Sequence, residues 1–532
     1  MKEGKEGNMR NKIIGIFVCM LLIATAIPAV TSVKMSAIHE IIPSHPQTSM
    51  GGIWTQEQKL IPSEGAANDQ LGGIVVVDGD TALVGVPYDD DNGVDSGCAY
   101  VFTRSGTTWT QQATLLPSDG ATGDYFGYCL SLQGDTAMIG AIHDDDNGAD
   151  SGSAYVFTRT GTTWTQQQKL LASDGATGDQ FGFYVSLDGN TCLISANWDN
   201  DNGNKSGSVY VFVRDGTTWT QQAKLLASDG QAGDRFSVGT LSGDTAVIGA
   251  FYDDDNGVDS GSAYVFVRTG TTWSQQAKLL PSDGAAGDNF GWNTAINGNT
   301  ALIGAYKDDN ENGVDSGSAY VFVRDGTTWT QQAKLLPSDG AAGDLFSGYS
   351  FSLSGNTTII GSPGDDVKGT DSGSAYVFTR IGTTWTQQQK LLALDGKAGD
   401  QFGDSTFVDG DTAVIGAPYD DDSGMNSGSA YVFTKVGLNF SITGGMGISL
   451  KITNSGVVNM TNVPWSLHVK GGILKLINKS MSGTVNISGG QTVTVATLKV
   501  FGLGAITITA KVADEEKTAK GTQLLIFSMV KK

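Results

Sequence analysis

The sequence predicts an all-β protein: a seven-bladed β-propeller of four-stranded blades followed by a C-terminal β-sandwich. Three observations carry this reading. One segment recurs seven times, opening at Trp54, Trp109, Trp164, Trp219, Trp273, Trp329 and Trp385, a period of about 55 residues. Each copy holds four short runs rich in β-branched and aromatic residues, separated by Gly and Asp turns. Past residue 437 the Asp-rich repeat stops and a composition with less Asp and more Lys begins.

Taken in order, the runs of the second copy are residues 109–116 (WTQQATLL), 126–132 (FGYCLSL), 136–141 (TAMIGA) and 153–158 (SAYVFT). Gln133-Gly134-Asp135 joins the second run to the third through a loop short enough for a hairpin. Four antiparallel strands of this kind form one blade, and a closed ring of blades leaves only short, protected edges. The ends of the array favour closure. The first copy opens with the tryptophan strand, residues 54–60, whereas the last stops after Tyr431-Val432-Phe433 with no such strand behind it. If that strand is the outermost of a blade, residues 54–60 complete the blade of residues 402–434.

Two elements recur in phase: Phe126-Gly127 followed by Gly140-Ala141, and Phe402-Gly403 followed by Gly416-Ala417-Pro418, with worn versions in the other five copies. In these the chain resembles the FG-GAP repeats of integrin α-subunit propellers, over residues 54–437. The resemblance implies the propeller fold and a calcium loop between FG and GAP. Here that stretch is a tight turn such as Gly134-Asp135, so the usual metal site is missing from its usual place.

Acidic residues instead follow the GAP element. Asp89, Asp91 and Asp95, then Asp144, Asp146 and Asp150, then Asp253, Asp255 and Asp259 stand at positions one, three and seven of a Gly-containing loop. Hard cations take oxygen ligands of this kind, which makes these nine the candidate metal residues and calcium the candidate ion. The other reading is a solvated turn whose Asp and Gly serve loop geometry. Strand direction puts these loops on the same face as the Ser-Asp-Gly-x-x-Gly-Asp loops. The opposite face receives Arg104, Arg159, Arg214, Arg268, Arg324, Arg380 and Lys435. Much of the net charge of -22 then belongs to one surface, whose field concentrates cations and repels nucleic acid.

Residues 1–35 read as a secretory signal peptide: Lys12 precedes an apolar run over 13–26, followed by small residues and Pro28. No other stretch is apolar and long enough to span a bilayer as a helix. Residues 36–53 read as a linker, 54–437 as the propeller and 438–532 as the second domain, so a secreted or cell-surface location is expected. Cys98, Cys129 and Cys192 fall at three different positions of the repeat, which argues for buried thiols and against a disulfide framework. In the C-terminal domain, strands are expected at 447–453, 465–469, 484–487, 492–498 and 505–512. Their alternation fits an immunoglobulin-like sandwich, without the Cys pair of antibody domains.

No catalytic motif appears, and the four histidines, His39, His45, His143 and His468, lie in separate segments. Catalytic residues should break the repeat, whereas the Asp residues obey it. The reading that follows is a non-enzymatic, exported propeller with neither catalytic nor cofactor-binding residues. It would bind an extracellular protein or glycan through the Asp-rich face. Two alternatives remain. One is an extracellular polysaccharide-active enzyme, a lyase or hydrolase, whose pocket would draw on Trp198, Trp292 and His143, the visible breaks in the repeat. The other is a structural cell-surface component.

Overall fold

A computed structural model describes residues 52–444, 447–454, 460–512, 515–525 and 527–531. The signal-peptide segment and nearly all of the linker lie outside the described residues. The first complete blade is built from β2 (Ile74–Asp78), β3 (Thr81–Val86), β4 (Cys98–Ser105) and β5 (Thr108–Leu115), hydrogen-bonded in that order. Burial grades from the inside out. The β3 sequence TALVGV is buried along its whole length, since both faces of the blade are covered by neighbours, while β5 is half-exposed. Two-residue turns such as Gly134-Asp135 connect first to second strands, with Gly134 at φ 57, a left-handed value that glycine adopts without strain.

The two signature glycines are explained by contact between blades. A Cβ on Gly140, in the GAP element, would collide with the carbonyl oxygen of Gly182, in the FG element of the next blade. Gly85 stands against Gly127 and Gly249 against Gly291 in the same way. The FG phenylalanine fills the neighbouring interface: Phe126 meets Tyr155 edge-on with ring centroids 5.3 Å apart. The same backbone approach recurs at Gly361 against Gly403, and the FG phenylalanine is present in six copies, with Leu71 in its place in the first.

The ring closes as the chain ends require. Strand β1 (Ile53–Leu60) pairs antiparallel with Ser429–Val436, with Trp54 opposite Lys435 and Leu60 opposite Ala430, and so becomes the outer strand of the last blade. The inner strand of that blade, Thr406–Asp409, lies against β2, and Gly416 abuts Gly72. The copies are not identical inside. The inner strands Phe126–Gln133, Phe181–Asp188 and Phe236–Ser242 are long, whereas Ile74–Asp78, Thr294–Asn297, Phe351–Ser354 and Thr406–Asp409 are short.

Beyond the propeller, Leu438–Thr443, Ile448–Asn454 and Thr492–Leu498 form a three-stranded sheet. Ile477–Ile487, Met460–Gly471, Gly502–Val512, Glu515–Leu525 and Phe527–Lys531 form a five-stranded one in that order. Both contribute to one core around Leu450, Ile452, Leu467, Val469 and Ile508, which Val436 of the last propeller strand joins. The five expected strands are present, with three more. Glu515–Leu525 (EEKTAKGTQLL) carries no apolar alternation and becomes a strand through its eleven-residue pairing with Gly502–Val512. The three described cysteines are buried and unpaired. No helix among the described residues is long and apolar enough to cross a membrane.

Candidate functional site

The Asp-rich loop of one blade and the Ser-Asp-Gly loop of the next run side by side on one face. Gly123 N–H donates to the Val94 carbonyl at 2.9 Å, and Phe126 N–H to Ser96 at 3.0 Å. Within a blade the first Asp of the loop is buried and fixed. Asp144 Oδ1 accepts the Asp146 amide at 3.1 Å, and the Tyr155 hydroxyl donates to Oδ2 at 2.8 Å. A lysine from the next copy's tryptophan strand then reaches over it. Lys169 Nζ lies 2.7 Å from Asp144, 2.6 Å from Asp146 and 2.9 Å from Asp119. The arrangement repeats around the ring at Lys224, Lys278 and Lys59, each on three carboxylates, and at Lys334 and Lys390, each on two.

The charge balance follows from this geometry. Burial by itself would raise the Asp144 carboxyl, but the Lys169 ammonium with the Ser153 and Tyr155 hydroxyls outweighs it and holds the group below the usual carboxylate range. For Lys169, burial disfavours the charge, and the bonds to Asp144, Asp146 and Asp119 more than compensate, so it is raised. A lysine thus supplies the positive charge at the centre of most of these acidic clusters.

Of the nine candidate metal residues, Asp144, Asp146, Asp253 and Asp255 are held by lysine. Asp95, Asp150 and Asp259 turn the loop. They sit at φ 53, 54 and 55, and their amides donate to the Oδ1 atoms of Asp90, Asp145 and Asp254 at 2.8 Å. Asp150 also stands 3.8 Å from His143 Nδ1. Asp89 and Asp91 are the exception. Thr114 takes the lysine's place and Glu64 that of Asp119, so among the described residues no ammonium pairs with them, and burial pushes Asp89 above the usual carboxylate range. Among the described residues, three carboxylates bring their oxygens within 4.8 Å of one another at Asp395, Asp420 and Asp422. Lys59 Nζ is 2.9, 2.9 and 2.6 Å from these three.

The basic ring of the opposite face is also engaged. Arg159 Nε donates to Asp135 at 2.7 Å, Nη1 bonds Thr81 of the preceding blade at 2.9 Å, and the guanidinium lies over Trp164. Arg214, Arg268, Arg324 and Arg380 repeat the bond to a threonine of the preceding blade. These arginines join blades in addition to carrying charge.

Where the inner strands enter from the acidic face, the seven blades enclose a cavity of about 540 Å³. Trp198 and Trp292, two of the residues that break the repeat, stand on its wall with Tyr128, Phe183, Tyr349 and Asp404. His143 does not line it, but its Nε2 lies 3.2 Å from Nε2 of Gln180, which does. Asp404 was hidden in the sequence among many aspartates. Its one distinguishing signal is its place directly after Phe402-Gly403, where other copies carry Tyr128, Phe183 and Trp292.

The family described as FG-GAP repeat matches the chain in seven consecutive segments: residues 54–102, 109–157, 164–212, 219–266, 273–322, 329–378 and 385–433. No curated protein matches the chain.

Proposed function

Since the chain belongs to the FG-GAP repeat family, we propose that it is an exported, non-enzymatic binding protein that recognises an extracellular protein or glycan through its Asp-rich loop face. The observation that carries this reading is the gathering of the acidic loops, and of the positions where the copies differ, at one end of the ring. The two sheets after residue 437, read as an immunoglobulin-like sandwich, serve as a spacer or attachment module. A pull-down and a glycan array with the purified chain, in calcium and in chelator, test the proposal. Selective retention that is lost when Asp145, Asp254 and Asp421, the second Asp of the acidic loop in three copies, are all changed to Asn supports it. Retention indifferent to those changes, or catalytic turnover of a polysaccharide, overturns it.

Calcium as part of the recognition is the narrower reading, and Thr114 supports it: in that blade alone the Asp89 and Asp91 carboxylates lack the lysine that the other blades supply. Its test is a melt in calcium against one in magnesium at equal ionic strength. Equal shifts with both ions would leave these loops as solvated turns.

A further inference from the structure

The copies are nearly identical wherever they build blades, yet they differ where they face the axis. The residue after the FG element is Gly73, Tyr128, Phe183, Val238, Trp292, Gly348 or Asp404. A residue serving only the fold would repeat with the fold, as the FG phenylalanine and the Tyr-Val-Phe strand do. All of these but Gly348 line the axial cavity, where Tyr349 represents the sixth copy, and its volume of about 540 Å³ falls within the range of small-ligand sites.

The wall combines aromatic surface with two ionisable groups that lack an ion-pair partner among the described residues. Asp404 is 6% exposed, lines the cavity, and has no hydrogen-bond or ion-pair partner for its carboxyl among the described residues. Burial alone pushes that carboxyl up to about 8, so near neutral pH it is mostly protonated, a donor as well as an acceptor. Arg235 also lines the cavity. Its guanidinium stacks 4.9 Å from the Tyr252 ring, and no carboxylate pairs with it among the described residues. Trp292 packs edge-on to Phe251 and lies 6.2 Å from the ring of Tyr349, a residue that is 56% exposed.

A purely apolar occupant would leave Asp404 and Arg235 unpaired. A quaternary ammonium would meet Arg235 and also Lys205, whose ammonium already covers the Trp198 ring at 3.6 Å. A pyranose ring matches both halves of the wall: its C–H faces stack on aromatic rings, and its hydroxyls both donate and accept. We propose that the axial cavity is a saccharide-binding site, with Trp292 and Tyr349 packing against the sugar ring and Asp404 and Arg235 bonding its hydroxyls. The inference rests on the reading of this propeller as a binding protein and locates a recognition site within the acidic face.

The test titrates the full chain with methyl glycosides of the common hexoses, N-acetylhexosamines and uronic acids and with their disaccharides. Tryptophan fluorescence and saturation-transfer NMR report binding, and choline serves as the cationic control. Native protein is compared with Tyr349→Ala and Asp404→Ala. The first removes a half-exposed ring and should melt with the native protein; the second removes a buried carboxyl with no partner to lose and should melt no lower than it. At least one glycoside is expected to bind, and each substitution to weaken it about tenfold or more. Absence of binding across the panel, binding that ignores both substitutions, or binding of choline in place of sugars overturns the proposal. A partner captured equally by native protein and both variants would leave the acidic-face reading standing while removing the cavity from it.

Discussion

Replacing Lys169 by Met keeps the aliphatic stem but removes the ammonium from among Asp119, Asp144 and Asp146. The three carboxylates are not equally sheltered: the Asp144 side chain is 5% exposed, Asp119 45% and Asp146 49%. Exposed ion pairs contribute about 0–1 kcal/mol, and removing one partner of a buried pair costs about 3–5 kcal/mol. Only Asp144 is left as a buried, uncompensated charge, and it can escape part of the cost by taking a proton, as the lysine-free blade suggests through its raised Asp89. A loss of about 2–3 kcal/mol at neutral pH is therefore expected. The pH dependence has a definite sign. The Asp144 carboxyl is lowered in the folded protein, so the stability it contributes is present above the unfolded carboxylate range and is lost as pH falls through the folded value. Urea unfolding followed by circular dichroism, at neutral pH and again at acid pH, should show a gap between native and Lys169→Met that narrows on acidification. Thr114→Lys, which restores the missing lysine, should shift the midpoint the other way. Coincident unfolding curves at neutral pH would show that the lysine clusters add nothing to stability and act only through the surface field.

Deleting residues 36–60 should destabilise the whole ring, because Trp54 and Leu60 are buried and Lys59 neutralises the buried Asp420; an unchanged melting curve would mean that β1 does not close the propeller. Asp404→Asn should stabilise the protein increasingly from mildly acidic pH upward. The folded carboxyl, raised to about 8, keeps a proton that the unfolded chain has lost, so native stability falls by up to about 1.4 kcal/mol per pH unit across that window. A difference between variant and native that stays flat with pH would place the Asp404 carboxyl in water. Residues 54–437 and 438–532 should each fold when expressed alone, since apart from Val436 the core of the second lies within its own residues and the first has cores of its own. Insolubility of both pieces, with one cooperative transition in the whole chain, would indicate a shared core.

The period, the four runs of each copy, the Gly-Asp turns and the unmatched ends of the array are legible along the chain, and together they were enough to predict the propeller and its closure by residues 54–60, whose partners lie at the far end of the array. The fate of the carboxylates was not local. Lys169 belongs to the third copy and its partners Asp119, Asp144 and Asp146 to the second, because the outer strand of each blade is lent by the next copy. On its own strand that lysine reads as one polar residue in an alternating pattern. Trp198 and Trp292 stood out by breaking the repeat, whereas Asp404 was marked only by its place after Phe402-Gly403, and its chemistry arose when closure of the ring surrounded it with aromatic residues and removed its water. Repetition along the chain specifies the blade, whereas the environment of a single side chain at the axis depends on all seven copies at once and exists only when they meet.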